Sequence, residues 1–212
     1  MKITGIADIH TFYDDVIISE TDVLIIAGDV LGAGIKEEWN NFITWISKIN
    51  IDNIIYVAGN HDRVLEDEKT KEQAKKDLDD AGIIYLEDSS VTINDIKFYG
   101  SPWQINFCNW AFNLDEYELG KKWDIIPEDT DILITHSPPY GILDANKRGE
   151  LCGCFSLKNN IIYRVKPKAH FFGHIHEGYG QVFNSDINFF NVSLCDEEYN
   201  IVNKPITIEM RS

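Results

Sequence analysis

The feature that most constrains the fold is a series of short apolar runs, each followed at once by histidine, aspartate, asparagine or glycine. These runs cover residues 3–7, 22–27, 54–58, 131–135 and 169–173. Nearly continuous runs of Val, Ile and Leu are typical of strands that are buried on both faces. Between the second and third runs, apolar residues recur with helical spacing, which predicts a helix over residues 36–50. This strand-helix-strand order predicts parallel pairing with a right-handed crossover, and therefore an α/β fold.

The rest of the chain carries further predicted elements. A charged segment ended by Gly82 predicts a solvated helix over residues 64–81, and Asn94-Asp95 between two apolar segments predicts a hairpin turn. We also expect a helix over 155–165 and strands over 187–192 and 205–210. Because no repeat, low-complexity tract or linker interrupts the sequence, we predict a single domain over residues 1–212.

The charge of the chain limits its partners. Nineteen Lys and Arg residues against thirty-five Asp and Glu residues give a net charge of −16. Such a surface repels phosphate backbones, so we expect no stable binding to nucleic acid. The same balance suits a protein that holds cations.

The cysteines and the hydropathy indicate the compartment. The four cysteines have no paired spacing of the zinc-finger type, so we expect free thiols in a reducing environment. No run approaches the length of a membrane helix, and no signal-peptide pattern follows Met1. We therefore expect a cytoplasmic protein without a membrane partner. Cys152-Gly153-Cys154 favours a structural place in a loop, and a minor functional role is left open.

The polar residues that follow the apolar runs are the candidate functional residues. Ligands of open α/β sheets bind beyond the carboxyl ends of the strands, so we expect these clusters to converge on one crevice. Five of the six histidines belong to them. In chain order the clusters are Asp8-Ile9-His10, Gly28-Asp29, Gly59-Asn60-His61-Asp62, His136 and Gly173-His174-Ile175-His176.

The residue types in these clusters indicate a metal site. Carboxylates, an amide and imidazoles together suit Mn, Fe, Zn, Ni or Co rather than soft thiolate chemistry. Seven candidate ligands exceed what one tetrahedral ion needs, which predicts two ions that share a bridging carboxylate. The i,i+2 spacing of Asp8 with His10, and of His174 with His176, predicts side chains that point to one side of an extended chain.

The five clusters, in this order, resemble the signature of the calcineurin-like metallophosphoesterase superfamily. Within it, the chain is similar to the branch of metallophosphoesterase-domain brain proteins, which is related to class III phosphodiesterases. That likeness extends over nearly the whole chain and also rests on segments 89–92, 99–103, 126–133, 135–139 and 172–180. The resemblance implies a four-layer αββα sandwich, in which two mixed β-sheets are flanked by helices.

The resemblance also implies a role for each residue. His61 would act as general acid at the leaving oxygen, with Asp62 fixing its orientation. Some members carry Gly at the position of His174, so the histidine here implies a complete second site. The cofactors would be two divalent ions, with Mn²⁺ as the first choice and Fe, Zn, Ni, Co or Mg as alternatives. Their ligands would be Asp8, His10 and His176 for the first ion, Asn60, His136 and His174 for the second, and Asp29 as the bridge.

The activity implied is that of a phosphodiesterase acting on small phosphodiesters such as cyclic nucleotides, by attack of a metal-bridging hydroxide. A phosphomonoesterase, a nuclease, a protein phosphatase and a metal-binding scaffold without turnover remain as alternatives. The sequence leaves the substrate, the native metal and the oligomeric state open.

Several other residues invite a functional interpretation. For Trp103, Trp110 and Phe112, packing is favoured over stacking on a base. His170 lies on a predicted strand, where a packed or supporting histidine is favoured over a substrate contact. The dibasic pairs Lys121-Lys122 and Lys147-Arg148 are weak candidates for phosphate contacts.

Overall fold

The computed structural model describes residues 1–210, and its strands form two large β-sheets and one small one. Numbered in chain order, the strands are β1 (Lys2–Ile6), β2 (Val23–Ala27), β3 (Asn53–Val57), β4 (Ile83–Tyr85), β5 (Ser89–Ile93), β6 (Ile96–Ser101), β7 (Gln104–Ile105), β8 (Asn113–Leu114), β9 (Ile132–Thr135), β10 (Ala169–Phe172), β11 (Gly180–Asn184), β12 (Ile187–Asn191) and β13 (Ile206–Glu209). The α-helices are α1 (Lys36–Ile46), α2 (Lys71–Asp80), α3 (Glu116–Asp124) and α4 (Phe155–Asn160).

Both large sheets are mixed. The first has the order β13-β1-β2-β3-β4 and is parallel apart from the antiparallel strand β13. The second has the order β11-β12-β10-β9-β6-β5, with antiparallel pairs only at its two edges. The central strands of each sheet are parallel, so their carboxyl ends lie at one edge of that sheet.

The side chains of each central strand divide between two layers. On β2, Val23 and Ile25 belong to the apolar core between the two sheets, whereas Leu24 and Ile26 belong to the core beneath α1 and α2. A third core joins the outer face of the second sheet to α3 and α4. This layering confirms the predicted four-layer αββα sandwich.

The predicted hairpin is confirmed between β5 and β6, which pair from Ser89 with Gly100 to Ile93 with Ile96. At the turn, Asn94 and Asp95 both have positive φ, at 49° and 62°. Two successive left-handed residues match the right-handed twist of the strands, and Asn and Asp tolerate this conformation better than other non-glycine residues. The turn therefore forms without the usual glycine.

The predicted helix over residues 64–81 is wrong in its first half. Residues 63–65 form a single 3-10 turn, and α2 begins only at Lys71. Val64 and Leu65 are buried in the core, and the Thr70 hydroxyl donates a hydrogen bond to the Val64 carbonyl (2.8 Å). Burial of these two apolar residues therefore outweighs the helical preference of the charged residues around them.

The helical prediction over residues 155–165 is partly right, because α4 passes into a wider π-type turn at Ile161–Val165. The helix α3 and the strands β4 and β11 were not predicted from the sequence, because their apolar residues are too few to give a clear period.

The longest described helix, α1, has 11 residues. Over residues 1–210, no helix has the length and apolar character that crossing a bilayer requires.

The two sheets touch most closely at glycines. A Cβ atom built on Gly5 of β1 would lie 2.6 Å from Cδ1 of Phe171 on β10, and one on Gly100 would lie 2.6 Å from Cγ2 of Val57. The Phe171 ring is fully buried, so it has no free space into which to move. The distance between the sheets is thus set by the absence of side chains at these positions.

We expect Gly5→Ala to lower the free energy of unfolding by about 1–3 kcal/mol, because the added methyl group overpacks the core between the sheets. Gly120→Ala is the matched control, since a Cβ at this position in α3 meets no atom within 4 Å. A helical glycine replaced by alanine is expected to gain about 0.5–1 kcal/mol. Urea unfolding measures both; equal stability of Gly5→Ala and the unmodified protein would contradict the close contact.

Candidate metal centre

The structure brings the predicted clusters together at the edge where β1, β2, β3, β9 and β10 end. Candidate side chains from both sheets meet there in three overlapping groups of possible ligand atoms. Within each group, all ligand atoms lie within 4.8 Å of one another. The groups are Asp8, His10 and His176; His10, Asp29 and His61; and Asp29, His136 and His174.

The first group lies after β1 and β10. Nε2 of His176 is 3.5 Å from Oδ1 of Asp8, and Nε2 of His10 is 3.9 Å from the same oxygen. The two Nε2 atoms are 3.4 Å apart. Asp8 and His10 are buried, and His176 is half-buried beside the opening of a pocket. This group has the residues and spacing of a cation site.

The group of Asp29, His136 and His174 is centred on Asp29, which follows β2. Oδ2 of Asp29 lies 3.3 Å from Nε2 of His136 and 3.9 Å from Nε2 of His10, so this carboxylate stands between the two groups. Nε2 of His136 also lies 3.0 Å from Oδ1 of Asn60. The ring of His174 stands edge-on to that of His136, at a centroid distance of 5.0 Å. The Asp29 carboxylate is thus placed for both groups of candidate ligands to share it.

Backbone carbonyls orient the histidine rings. Nδ1 of His10, His136 and His176 lies 3.1, 2.9 and 2.8 Å from the carbonyl oxygens of Leu31, Ala27 and Asp196 respectively. A carbonyl oxygen only accepts hydrogen bonds, so each Nδ1 carries the proton and donates it. In its neutral form, each ring directs the lone pair of Nε2 into the site, which is the arrangement that metal-bound histidines have.

The resulting site consists almost entirely of acceptors. The Nε2 lone pairs of His10 and His176 face each other, and Oδ1 of Asp8 is buried without a hydrogen-bond partner among the described residues. The other oxygen, Oδ2 of Asp8, accepts the hydroxyl of Ser193 (2.6 Å) and the N–H of His174 (3.0 Å). Converging acceptors repel one another unless a cation lies between them, so the residues present fit divalent metal ions.

The pKa values of the site residues show the same preference for positive charge. Burial opposes ionisation of Asp8 and Asp29, but the nearby His176 and His136 hold the pKa of these carboxyls below its usual range. Burial would also lower the pKa of His136 and His176, yet Asp29 and Asp8 raise both to about 9. The field of the two carboxylates thus stabilises a cation at these Nε2 atoms, whether a proton or a metal ion.

Burial dominates at His10 and His174. It lowers the pKa of His10 to about 4 and that of His174 to about 3. Both rings are therefore neutral at pH 7, and a neutral imidazole is the form that binds a metal ion.

The glycines of the clusters leave room for the site's own side chains. A Cβ on Gly59 would lie 2.8 Å from Cε1 of His136, and one on Gly28, where φ is +95°, would lie 2.8 Å from Cγ of the same ring. A Cβ on Gly173 would collide with the carboxylate of Asp8. The candidate ligand residues therefore fill the space that the missing side chains leave.

The predicted extended geometry of the i,i+2 pairs is wrong. Asp8, His10 and His174 have φ values of 52°, 45° and 70°, in the left-handed region, and Asp29 has a φ of 54°. Such conformations cost on the order of 1–3 kcal/mol each and persist only where the surroundings impose them. The candidate ligands therefore converge through tight turns after the strands rather than by alternation along a strand.

His61 lies at the edge of the site, with Nε2 3.9 Å from Oδ2 of Asp29. Its Nδ1 is hydrogen-bonded to the carbonyl of Gly32, and its ring stacks on Trp110 with a centroid distance of 3.9 Å. These two contacts hold the ring so that Nε2 faces the pocket.

Asp62 does not orient the His61 ring, contrary to the role expected from the resemblance. Its buried carboxylate accepts backbone N–H groups of Gly59 (2.8 Å), Asp29 (2.9 Å), Val30 (3.1 Å) and Leu31 (3.1 Å). Asp62 therefore joins the turn after β3 to the turn after β2. The residue that bonds the His61 ring is Gly32, through its main chain, which a search for side-chain motifs cannot find.

A pocket of about 180 Å³ opens over the site. Besides candidate ligands and His61, it is lined by the exposed aromatic residues Phe107 and Tyr199 and by the carboxylates of Glu177 and Glu197. Among the described residues that line it, there is no lysine or arginine. The mouth of the pocket is therefore aromatic and acidic.

The remaining candidates divide between core and site. Phe112 is buried, and the Trp103 indole donates a hydrogen bond to Asp88 (2.9 Å), so both pack as expected. Trp110 instead belongs to the site through its stack on His61. Burial lowers the pKa of His170 to about 3, and its Nε2 bonds the Thr135 hydroxyl (2.9 Å), as expected of a packed histidine.

The cysteines and the dibasic pairs take no part in the metal centre. Cys154 is buried at the start of α4, where its Sγ accepts the Leu157 N–H (3.4 Å), and Cys152 is half-buried in the preceding loop. Lys122 pairs with Asp88 (2.6 Å), and Lys147 lies 3.6 Å from Glu197. These residues have structural or surface roles in the part of the chain that the structure describes.

Sequence reasoning missed Asn191 and Ser193. The Ser193 hydroxyl bonds Asp8, and the Asn191 side chain accepts the Ser193 N–H (3.1 Å) and donates to the Ile175 carbonyl (2.8 Å). Asn191 is the last residue of β12 and Ser193 follows two residues later, so the strand-end rule that found the other clusters also points to Ser193.

Comparison with known proteins agrees with this geometry. A family model described as calcineurin-like phosphoesterase matches residues 1–178. Metallophosphoesterase domain-containing protein 1 of Homo sapiens is 37% identical over 226 residues, covering 97% of this chain and 69% of that protein, and its Mus musculus counterpart gives the same values. The crystal structure of TT1561 from Thermus thermophilus has a TM-score of 0.62 at 13% identity, over 90% of this chain and 88% of that one, which is a likeness of fold.

The family match spans most of the chain and includes every candidate ligand from Asp8 to His176. Together with the identity to the human and mouse proteins, it shows that this chain belongs to the calcineurin-like phosphoesterase family.

Proposed function

We propose that this protein is a phosphodiesterase that uses two divalent metal ions, with Mn²⁺ as our first choice, to hydrolyse small phosphodiesters such as cyclic nucleotides. The observation that carries the proposal is that two acceptor-rich groups lie side by side, with members of both lining one pocket and Oδ2 of Asp29 3.9 Å from Nε2 of His10; the groups are Asp8, His10 and His176, and Asp29, His136 and His174. Membership of the phosphoesterase family supports hydrolysis of a phosphoric ester.

The residues that would hold the ions follow from the two groups. Asp8, His10 and His176 would bind the first ion, Asn60, His136 and His174 the second, and Asp29 would bind both. When bound, two such ions lower the pKa of a water molecule and neutralise charge that develops on the phosphoryl oxygens. Ser193 and the N–H of His174 hold Asp8 in place by occupying the oxygen that faces away from the ligand atoms.

His61 would supply the proton for the leaving group. Its Nδ1–H donates to Gly32, so Nε2 is the atom that faces the pocket and carries the exchangeable proton. An alkoxide leaving group is strongly basic and departs readily only when it receives a proton. The stack on Trp110 keeps the ring at the side of the pocket.

The pocket mouth supports a diester rather than a monoester. A phosphomonoester near pH 7 carries almost two negative charges, whereas a diester carries one. Glu177 and Glu197 repel the more highly charged ester more strongly, although Lys147, which lies 3.6 Å from Glu197, offsets part of that charge. The exposed rings of Phe107 and Tyr199 suit an apolar or aromatic substituent on the ester.

The proposal also includes the cellular compartment and the size of the substrate. All four cysteines are free, which supports a reducing cytoplasmic setting. The net charge of −16 supports small esters over long polyanions, because a polyanion would extend beyond the metal site onto an acidic surface.

We expect two ions per chain in protein reconstituted with Mn²⁺ and one ion per chain in His176→Ala, because this substitution removes a ligand of the first group only. His170→Gln is the matched control: it replaces the histidine outside the site and should retain two ions. Metal analysis after gel filtration measures the stoichiometry. Two ions in His176→Ala would contradict the assignment of the first group.

We expect His61→Ala to retain two ions and to hydrolyse 3′,5′-cyclic AMP about 10²–10⁴-fold more slowly, because the leaving alkoxide loses its proton donor. Bis-p-nitrophenyl phosphate should be much less affected, because p-nitrophenolate departs without a proton. Steady-state rates on both esters test this. A loss of equal size on the two substrates would rule out His61 as the general acid.

We expect bis-p-nitrophenyl phosphate to be hydrolysed faster than p-nitrophenyl phosphate, with no turnover after treatment with EDTA and recovery on addition of Mn²⁺. The variant Glu197→Gln should reduce this preference several-fold because it removes one repulsive charge. Glu198→Gln, an exposed neighbour outside the pocket lining, is the control. A preference for the monoester would favour a phosphomonoesterase, and absence of turnover with every divalent metal would favour a scaffold.

A further inference from the structure

We propose that Glu38 is a positioning residue for His61, acting through the loop 32–34 that precedes α1. This inference rests on the proposed role of His61 as the proton donor. Glu38 lies on α1 and does not line the metal pocket. No motif in the sequence singles it out from the other charged residues of that helix.

The Glu38 carboxylate accepts hydrogen bonds from consecutive backbone N–H groups of the loop. Its Oε2 accepts the N–H groups of Gly32 (3.2 Å), Ala33 (2.9 Å) and Gly34 (2.9 Å), and its Oε1 also accepts from Ala33 (3.1 Å). Hydrogen bonds to a carboxylate are about twice as strong as those between neutral groups. With a longer contact to the N–H of Ile35 (3.4 Å), one half-buried side chain thus holds four consecutive N–H groups.

The loop transmits this order to His61 at two points. The Gly32 carbonyl accepts Nδ1–H of the His61 ring. Gly34, with a φ of +73°, packs so tightly on the turn after β3 that a Cβ would lie 2.6 Å from the carbonyl oxygen of His61. The carbonyl that determines which nitrogen of the ring is protonated therefore belongs to the peptide segment that Glu38 holds.

A second set of hydrogen bonds holds the residues that precede the loop. Asp62 fixes the preceding residues 29–31 through their N–H groups. The two carboxylates act on successive segments of the chain: Asp62 orders the segment that carries Asp29, and Glu38 orders the segment that contacts His61. The Leu31 carbonyl that bonds the His10 ring belongs to a residue whose N–H Asp62 still holds, so loss of Glu38 should disturb His61 more than the candidate metal ligands.

The test is the substitution Glu38→Gln, which keeps the size of the side chain but places an NH₂ group against backbone donors. We expect kcat on 3′,5′-cyclic AMP to fall about tenfold, with KM, metal stoichiometry and turnover of bis-p-nitrophenyl phosphate nearly unchanged. Glu37→Gln is the matched control, since Glu37 is an exposed carboxylate on the same turn of α1. A general loss of structure would lower the rates on both substrates together and would overturn the proposal.

A double-mutant cycle decides whether Glu38 acts through His61. In the His61→Ala background, Glu38→Gln should cause no further loss of rate on the cyclic substrate, because the group that it positions is already absent. Additive losses would show that Glu38 affects the reaction by another route and would overturn the proposal.

A readout that needs no turnover separates this inference from the proposed function. In ¹⁵N-histidine NMR spectra, the Nδ1–H signal of His61, assigned by its loss in His61→Ala, should be protected from exchange in the unmodified protein and in Glu37→Gln. It should exchange rapidly in Glu38→Gln. An equally protected signal in Glu38→Gln would overturn the positioning role even if the protein is an active phosphodiesterase.

Discussion

The close contact of the two sheets is the constraint on which the rest of the structure depends. Each large sheet contributes only part of the metal centre: β1, β2 and β3 lead to Asp8, Asp29 and Asn60, whereas β9 and β10 lead to the histidines at 136, 174 and 176. The candidate ligands meet because the two sheets are in direct contact, with the Phe171 ring packed against the backbone of Gly5. Packing of an apolar core thus determines the geometry of a polar site.

Several features of the site lower the stability of the folded chain. The site buries two carboxylates and several imidazoles, places four of its residues in left-handed backbone conformations, and leaves Oδ1 of Asp8 without a partner among the described residues. Each of these features is unfavourable in isolation. They are tolerated because Asp62 and Ser193 tie the turns together with buried hydrogen bonds, and because cations would neutralise the charge. Strain and unpaired acceptors are what a site built for divalent cations requires.

Much of the fold could be predicted from the pattern of apolar and polar residues along the chain. Burial on both faces makes a strand such as β2 continuously apolar, and the following polar residues mark the point where it reaches the edge of the sheet. The boundaries of α2 were not readable, since Val64 and Leu65 are drawn into a core formed by residues distant in sequence. Asp62 was misread for the same reason: its partners are backbone amides of a turn about thirty residues earlier, and side-chain motifs carry no information about them.

The sequence alone identified the candidate ligands that the structure brings together, because side-chain chemistry and its place at strand ends are local properties of the chain. Apolar period and element order, which are local as well, also predicted an α/β fold, whereas the four-layer arrangement followed from the resemblance to the family. Only the tertiary structure decided how each group is oriented: which nitrogen of each imidazole faces inward, that Gly32 rather than Asp62 holds the His61 ring, and that Glu38 holds Gly32. Those contacts join segments that are separate along the chain, and their geometry follows from the packing of two sheets rather than from any single run of residues.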